Sequence, residues 1–472
     1  MKKTSRRNFL KHTATCSAAV AASPYFFSSE QLLRADAPSD RVRMGCIGVG
    51  SLGRPNASEF SGIADVVAVC DVDTSHMDEA LAPHENIGIK RDGKIVTQPE
   101  KIKDYRKILD RNDIDAVCIV TPDHWHVKIA VEALQAGKHV FCQKPLTLTI
   151  EEGQLIRAAC KKYNRTFQVG TQQRTDFSRH FLNAVILIQK GLLGKVKNIV
   201  CHIDGSPSSG AIPKASVPET LDWDKWLGQA PLVDYIATEQ PHRERRNSWP
   251  RNSRTHYEFR WWYEYSGGKF TDWGAHHVDI AMWALNLNGQ GQGAISFKPI
   301  SVEHPVPFKD GNPTIDNKYN TATKFDIECK FENGVVMNVV SNSQFGNGIL
   351  FDGEKGRIHV SRGHLNGKPI EEIKDKFGEY VTEDDYKKAY NGKKREGHKQ
   401  NFITCIKEGG LPISDVFTHV QAMNVCHLTA IAARLGREIK WDPKTEKADD
   451  DQAQSFVARE RRKGYEIPII TP

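Results

Sequence analysis

Three side chains in this sequence have the chemical types needed to move a proton at a substrate hydroxyl group. Lys144 follows a short apolar run and precedes a proline, and His276 lies four residues after Asp272 in a segment that predicts one helix. Residues at that spacing share a helix face, and a neighbouring carboxylate commonly holds an imidazole base in one tautomer. We therefore expect His276 to act as a base that Asp272 orients, with Lys144 supplying positive charge beside a developing alkoxide.

Two other interpretations of this helix stay open. Asp272 could cap the helix while His276 and His277 serve the protein core. Asp272, His276 and Asp279 could instead bind a metal, but the spacing matches no zinc-protease pattern and no cysteine pair accompanies it. We predict no metal site.

A glycine-rich turn predicts a nucleotide site at the start of the chain. The run at 48–53 has the pattern G-x-G-x-x-G between an apolar strand and a helix-like segment. Glycines allow the backbone to approach a pyrophosphate, and the helix N-terminus adds a positive dipole. The candidate cofactor contacts in this turn are Gly48, Gly50, Ser51, Leu52 and Gly53.

Asp71 ends the next apolar run, 23 residues after Gly48. This is close to the spacing at which a carboxylate accepts hydrogen bonds from a ribose in dinucleotide-binding folds. Asp71 favours NAD because its charge repels a 2′-phosphate, although Asp73 and His76 keep NADP open. We expect the cofactor to be tightly held.

Alternating helix and strand patterns predict a doubly wound, parallel Rossmann sheet over residues 38–165. Thr121, Pro122 and His126 follow one strand of this sheet, and Lys144 follows the next. Ligands bind outside the carboxyl ends of such strands, so these residues are candidate cofactor contacts.

The pattern changes after residue 165. Alternating strand-like runs predict an α+β domain over 166–440, built on a large, mostly antiparallel open sheet, and an irregular tail over 441–472. Residues 204–258 are rich in Pro, Ser, Arg and Trp. They predict a surface insertion that shapes the site or an interface.

Together, the glycine turn, the Thr121-Pro122 turn with His126, the lysine–proline pair and D-x-G-x-H-x-x-D at 272–279 resemble the Gfo/Idh/MocA family. The resemblance covers most of residues 41–440. It implies an NAD(P)-dependent enzyme in which Lys144, Asp272 and His276 are catalytic, and a second domain that forms homodimers or homotetramers. The family's usual glutamate before the lysine is Gln143 here, so Lys144 either has a lowered pKa or pairs with another carboxylate.

Four further residues are candidate substrate contacts: Arg174, Trp261, Tyr265 and His277. Flat aromatic rings suit a sugar, although core or interface packing explains Trp261 and Tyr265 equally well.

The sequence leaves three functions open. The first is oxidation of a secondary hydroxyl of a sugar, cyclitol or related carbohydrate. The second is an exported enzyme that recycles tightly held NAD(P) in one site, as a sugar–sugar oxidoreductase or an NAD-dependent glycosidase. The third is a non-catalytic carbohydrate-binding protein on the same fold.

Residues 1–37 predict a twin-arginine export signal, because Arg6-Arg7 precede a mildly apolar stretch and a small-residue cleavage pattern. We therefore expect a periplasmic or otherwise exported protein whose precursor meets the Tat export machinery. Without these residues the formal net charge falls from +7 to about +3. Such a small positive excess does not indicate nucleic-acid binding. No later segment predicts a membrane span, and the cysteines predict free core thiols.

Overall fold

The first sheet occupies the N-terminal part of the described chain. The computed structural model describes residues 41–238 and 252–470. Six parallel strands are arranged in the order β5-β2-β1-β6-β7-β8, and β3 and β4 form a separate hairpin. The strands are β1 (Arg43–Ile47), β2 (Asp65–Cys70), β3 (Ile89–Arg91), β4 (Lys94–Thr97), β5 (Glu100–Ile102), β6 (Ala116–Ile119), β7 (His139–Gln143) and β8 (Phe167–Gly170).

Five helices connect these strands. Because β1, β2, β6, β7 and β8 are almost entirely buried on both faces, they read as continuous apolar runs. The helices are α1 (Gly53–Ile63), α2 (Thr74–Ala80), α3 (Tyr105–Leu109), α4 (His126–Gln135) and α5 (Ile150–Tyr163).

The second sheet has nine strands in the order β17-β16-β15-β9-β14-β13-β10-β18-β19. It is antiparallel except for the β9–β14 pair, which is parallel. Its strands, with the separate β11–β12 hairpin, are β9 (Val196–His202), β10 (Ala294–Glu303), β11 (Phe308–Lys309), β12 (Asn312–Pro313), β13 (Lys324–Phe331), β14 (Val336–Val340), β15 (Gly348–Gly353), β16 (Gly356–Val360), β17 (Leu365–Asn366), β18 (Ile439–Asp442) and β19 (Lys447–Ala448).

Apolar side chains of α6, α9 and α14 form one core with one face of this sheet. The remaining helices are α6 (His180–Gln189), α7 (Trp223–Leu227), α8 (Lys269–Asp272), α9 (Gly274–Ala284), α10 (Lys368–Ile373), α11 (Phe377–Tyr380), α12 (Glu383–Ala389), α13 (His398–Glu408), α14 (Val416–Leu435) and α15 (Asp451–Gln454). The predicted fold class, a parallel Rossmann sheet followed by a domain with a large, mostly antiparallel sheet, is confirmed.

Two local predictions were wrong. The apolar spacing of residues 99–111 predicts one helix, but the structure has the edge strand β5 followed by the short helix α3, because this spacing serves two elements in succession. The helix expected from Thr271 through Trp283 is interrupted at Trp273, so Asp272 ends α8 instead of starting α9.

The predicted export signal lies outside the described residues. Within the described ranges, no helix is long and apolar enough to cross a bilayer. Nine cysteines there are all buried and unpaired: Cys46, Cys70, Cys118, Cys142, Cys160, Cys201, Cys329, Cys405 and Cys426.

Candidate active site

The glycine turn after β1 forms one end of a cleft of about 380 Å³ at the carboxyl edge of the first sheet. Gly48 has φ +82°, and a Cβ atom there would lie 2.6 Å from the Val120 carbonyl oxygen. A Cβ on Gly53 would lie 2.1 Å from the Gly48 oxygen. Side chains are therefore excluded where a pyrophosphate would need close backbone approach. Gly50, Ser51 and Leu52 line the same cleft, and α1 begins at its edge.

Asp71 lies in the same cleft at the end of β2 and is held from two sides. Its Oδ2 accepts from the Val49 backbone N–H at 2.9 Å, and Oδ1 accepts from Asp73 N–H at 3.0 Å. His76 Nδ1 lies 3.2 Å from Oδ2. Burial raises the pKa of Asp71, but His76 and the backbone donors outweigh it and lower the pKa overall. Asp71 is thus a fixed carboxylate where a ribose is expected.

Histidines enclose this end of the cleft. Burial lowers the pKa of His76, but the charges of Asp71 and Asp73 outweigh it and raise the pKa overall. His256, from the segment before α8, places Nε2 3.3 Å from Asp73 Oδ2. Asp73, His76 and His256 bring their ligand atoms within 4.8 Å of one another, a geometry that could also hold a metal ion. The carboxylate–imidazole pairs account for this cluster without an ion, and the sequence did not reveal His256 because it lies far along the chain.

Lys144, which follows β7 of the first sheet, and Asp272, which ends α8 in the second domain, form an ion pair in the site. Lys144 Nζ lies 2.6 Å from Asp272 Oδ1 and 2.9 Å from the Asp272 backbone oxygen. The side chains are only 14% and 17% exposed. Burial raises the pKa of Asp272, but the charges of Lys144 and Arg260 outweigh it and bring the pKa well below its usual range. Both residues line the cofactor cleft.

Asp272 does not orient His276, contrary to expectation. The carboxylate faces Lys144, because the break at Trp273 separates α8 from α9. His276 Nδ1 is buried and has no hydrogen-bond partner among the described residues. Burial lowers the pKa of His276 well below its usual value, and the positive charges of Lys144 and Arg362 lower it further. His276 is therefore a neutral imidazole close to the Lys144–Asp272 pair.

His126 positions the two loops of the cleft. Its Nδ1 lies 2.7 Å from the Pro145 carbonyl oxygen and its Nε2 lies 2.9 Å from that of Thr121. Burial lowers the pKa of His126 to about 4, so the ring is neutral at pH 7 and donates to one of these oxygens only. His126 links the loops after β6 and β7, while Thr121 and Pro122 line the cleft.

Gln143 does not contact Lys144 through its side chain amide. Its Nε2 donates to Asn56 Oδ1 at 2.9 Å, and the side chain is fully buried beneath the glycine turn. Gly170 leaves room for it, since a Cβ there would lie 2.5 Å from Gln143 Oε1. The carboxylate partner of Lys144 is therefore Asp272, one of the two outcomes that the glutamine at this position predicts.

Asp123 is a buried carboxyl group that sequence reasoning missed. It lies two residues after Thr121, lines the cleft, and accepts from Ser266 Oγ at 2.6 Å. Burial raises the pKa of Asp123 to about 7, aided by the charge of Asp272 and opposed by Arg260 and Lys144. A cleft carboxyl that titrates near neutrality is a candidate proton carrier. Its place beside the Thr121-Pro122 turn was the available signal.

Arg174 and His277 are not substrate contacts. The Arg174 guanidinium binds Asp279 through two hydrogen bonds of 2.7 and 2.6 Å, and the residue is 2% exposed. His277 is fully buried, with Nδ1 3.2 Å from Gln173 Oε1 and Nε2 3.0 Å from Asn347 Oδ1. The polar atoms of both side chains therefore bond to other residues of the protein.

Trp261 and Tyr265 also belong to the interior. They are 5% and 1% exposed and join an aromatic cluster with Trp226. Trp261 Nε1 donates to Glu258 Oε2 at 2.7 Å, and Tyr265 packs edge-on against Trp226 at 5.1 Å. These rings support the segment that borders the cleft instead of offering a face to a sugar.

The insertion does shape the site, as predicted. Lys225, Trp226, His256 and Tyr257 of the insertion line the cleft, as do Phe259 and Arg260, which directly follow it. The insertion is bonded to the first domain by backbone hydrogen bonds from Asp222 to Val72 (3.0 Å) and from Thr74 to Thr220 (2.9 Å).

The C-terminal residues are not a loose tail. Arg462 binds the insertion through Nε to the Gly228 oxygen at 2.8 Å and through Nη1 to Asp224 Oδ1 at 2.6 Å. Tyr465 lines the cleft and donates to Asp224 Oδ2 at 2.6 Å. Lys128 Nζ on α4 donates to the Glu466 oxygen at 2.7 Å. The tail therefore fastens the insertion to the first domain.

Comparison with known sequences identifies the family. Residues 42–171 match the profile described as the oxidoreductase family with an NAD-binding Rossmann fold. Residues 207–467 match that of its C-terminal alpha/beta domain. The chain belongs to the Gfo/Idh/MocA oxidoreductase family. Its Rossmann domain is accordingly an NAD-binding domain, and the glycine turn and Asp71 fit that cofactor.

Curated relatives of this Gfo/Idh/MocA member match it in part. A glycosyl hydrolase family 109 protein from Shewanella pealeana is 28% identical over 208 residues, 41% of this chain and 44% of the relative. An alpha-N-acetylgalactosaminidase from Shewanella oneidensis is 29% identical over 207 residues, 40% of this chain and 44% of the relative. The matches span less than half the length of these relatives.

Solved structures share the fold. The WlbA dehydrogenase from Bordetella pertussis, in complex with NADH and UDP-GlcNAcA, is 19% identical with a TM-score of 0.55, covering 85% of this chain and 99% of that one. The aldose–aldose oxidoreductase from Caulobacter crescentus is 18% identical with a TM-score of 0.53, covering 85% and 100%. At these identities the likeness establishes the fold alone.

Proposed function

We propose that this protein is an NAD-dependent oxidoreductase that oxidises a secondary hydroxyl of a sugar, cyclitol or related carbohydrate. The observation that carries the proposal is the Lys144–Asp272 ion pair, which lines the same cleft as the glycine turn and Asp71. A cation beside a nucleotide cleft suits a reaction in which an alcohol loses a proton and a hydride together.

Gly48, Gly50, Gly53 and Asp71 would hold the cofactor. When bound, NAD supplies the hydride acceptor. Thr121 and Pro122 border the middle of the cleft, and Lys144 and Asp123 lie where the chemistry is expected, at the carboxyl ends of β6 and β7.

The residues of the site divide the proton chemistry among them. His276 is neutral, and its Nδ1 has no hydrogen-bond partner among the described residues. In this proposal that nitrogen accepts the hydroxyl proton. Lys144 stabilises negative charge on the substrate oxygen, and Asp272 keeps the ammonium in place through its 2.6 Å contact. Asp272 thus positions Lys144 and not the imidazole.

The test is turnover by variants that remove one group each. We expect Lys144→Met and His276→Asn to lower kcat with a carbohydrate substrate by about 100-fold or more, measured as NADH absorbance. Arg437→Met, which removes an exposed ion pair with Asp450, is the control and should keep wild-type turnover. Unchanged turnover in both site variants would refute the assignment. Neither NADH formation nor conversion of any carbohydrate would favour a non-catalytic binding protein.

A second candidate is an enzyme that returns the hydride within the same site, as a sugar–sugar oxidoreductase or an NAD-dependent glycosidase. It is favoured by the insertion and C-terminal residues that border and fasten the cofactor cleft, and by relatives described as glycosyl hydrolases. Purified protein that carries NAD and converts substrate without added cofactor or net NADH supports this candidate. Dependence on added NAD, with stoichiometric NADH, supports the first.

We also propose that the chain is exported by the twin-arginine route and assembles as a homodimer or homotetramer. The basis for export is the Arg6-Arg7 segment. The basis for assembly is the open second sheet, whose face away from α9 and α14 is a broad surface for a second copy.

A further inference from the structure

Arg362 lies beside the candidate active site and has no assigned role. It follows β16 in the turn that leads to β17. Its guanidinium carbon lies 4.5 Å from the centre of the Phe177 ring and 4.4 Å from that of Trp273. Arg362 is an exposed residue, so one edge of the planar group is open while two rings fix its position.

The donors of this guanidinium are uncommitted within the described ranges, where Arg362 makes no hydrogen bond or ion pair. Stacking on aromatic rings occupies the faces of the group and leaves its N–H edge available. A planar fork held in one orientation matches a carboxylate through two parallel hydrogen bonds.

Arg362 faces the reacting groups. Trp273, on which it stacks, directly follows Asp272, and its ring lies 6.2 Å from that of His276. Burial and then the charges of Lys144 and Arg362 lower the pKa of His276. Burial also lowers the pKa of Arg362, and the charge of Asp272 opposes that change. Arg362 therefore lies within electrostatic range of His276 and Asp272.

The charges of the site do not balance. Asp272 neutralises Lys144, yet Arg260 Nε also lies 4.0 Å from Asp272 Oδ2, and Lys269 adds its charge to the same carboxylate. Arg362 is a further cation, while Asp123 is half-protonated near pH 7. This excess of positive charge attracts an anionic ligand.

The backbone at Phe177 is strained in support of this arrangement. Phe177, Ser178 and Arg179 have φ of 54°, 53° and 62°. Three successive non-glycine residues in the left-handed region are energetically unfavourable. Such strain persists where the surrounding structure needs the side chain in place, and here it presents the Phe177 ring to Arg362.

We propose that Arg362 binds the carboxylate of an acidic sugar, such as a uronic acid, beside Lys144 and His276. This substrate class rests on the proposed function, since it places the carboxylate on the sugar that reacts. The planar fork suits a carboxylate through two parallel hydrogen bonds, and Arg260 supplies additional positive potential from the cofactor side.

Binding to the NAD-loaded protein tests the proposal independently of turnover. Titration calorimetry compares glucuronate and galacturonate with glucose and galactose at low salt. We expect at least one uronate to bind about tenfold or more tightly than its neutral counterpart, and Arg362→Gln to remove most of that preference. Arg362→Lys keeps the positive charge but loses the planar fork, so this variant should retain only part of the preference for the uronate.

Arg357→Gln is the matched control, because the exposed Arg357 lies on β16 and pairs with Asp352. It should bind uronates as the wild type does. Equal affinity for acidic and neutral sugars, an unchanged preference in Arg362→Gln, or tighter binding of sulfated or phosphorylated sugars each overturns the proposal. Uronate binding that needs Arg362 without NADH formation would contradict the proposed function alone, and NADH formation from neutral sugars alone would contradict only this proposal.

Discussion

At the scale of single residues, Asp71 is the group that we expect to govern the choice between NAD and NADP. Its carboxylate is held by the Val49 and Asp73 backbone N–H groups and by His76, so it cannot turn away from a 2′-phosphate. Asp73 and His76, which kept NADP open in the sequence, instead hold the Asp71 carboxylate in place through the Asp73 backbone N–H and the His76 ring.

Replacing this charge should relax the choice of cofactor. We expect Asp71→Asn to weaken NADH binding by about tenfold and to reduce the preference for NADH over NADPH. The amide keeps an acceptor oxygen, but it loses the charge that repels a 2′-phosphate. Fluorescence titration with both reduced cofactors measures this. Asp78→Asn, at an exposed ion pair with Lys101, serves as control; an unchanged preference in Asp71→Asn would contradict this role.

Asp123 should give folding stability a pH dependence. Burial raises its pKa from 3.8 to about 7, so the folded state binds the proton more tightly than the unfolded state. The free energy of unfolding therefore falls as pH rises from about 4 to about 7. We expect the Asp123→Asn variant to keep its free energy of unfolding over this pH range. Above pH 7 its free energy of unfolding should exceed that of the wild type by up to about 4 kcal/mol.

Denaturant unfolding of the cofactor-free protein at pH 5, 6, 7 and 8 measures the effect. Asp310→Asn, at an exposed turn residue with φ 50°, should follow the wild-type pH dependence. Parallel curves for wild type and Asp123→Asn would show that Asp123 ionises normally.

At the scale of elements, the C-terminal residues act as a fastening for the cofactor cleft. Arg462 makes three hydrogen bonds to the Asp224–Gly228 segment, at 2.8, 2.6 and 2.8 Å. Tyr465 packs edge-on against Trp125 at 5.8 Å between ring centres. Opening the cleft requires these contacts to break together.

We expect Arg462→Met to raise the dissociation rate of NAD by about tenfold, because it removes hydrogen bonds that keep the insertion over the cleft. Stopped-flow displacement of NADH measures the rate. Arg437→Met removes exposed hydrogen bonds to Asp450 at the far edge of the second sheet and should leave the rate unchanged. A wild-type rate in Arg462→Met would mean that the tail does not limit release.

Element types were largely predictable because the buried strands and amphipathic helices carry their own periodicity. The glycine turn, the strand ends at Asp71 and Lys144, and α5 over Ile150–Tyr163 follow from local sequence. The partners of Asp272 and Arg174 do not, since Lys144 and Asp279 lie 128 and 105 residues away from them in the chain. Contacts between distant segments, such as His256 with Asp73, leave no local pattern.

At the scale of the whole molecule, the N-terminal sequence predicts that the protein is exported. We expect Arg6→Lys with Arg7→Lys to retain the chain in the cytoplasm, because twin arginines are read by a receptor. Fractionation of cells producing the tagged precursor measures this. Lys2→Gln with Lys3→Gln keeps the arginine pair and should still be exported; secretion of the double arginine variant would refute the signal.

The nine buried thiols affect how this protein is inactivated by heat. While the chain is folded, all nine of these thiols are buried, so an oxidant in the solvent has little access to them. Once the chain opens in an oxidising medium, random bridges would form faster than the native packing returns. Thermal inactivation there is then a one-way process governed by the speed of opening, and a reducing agent would convert it into a recoverable one.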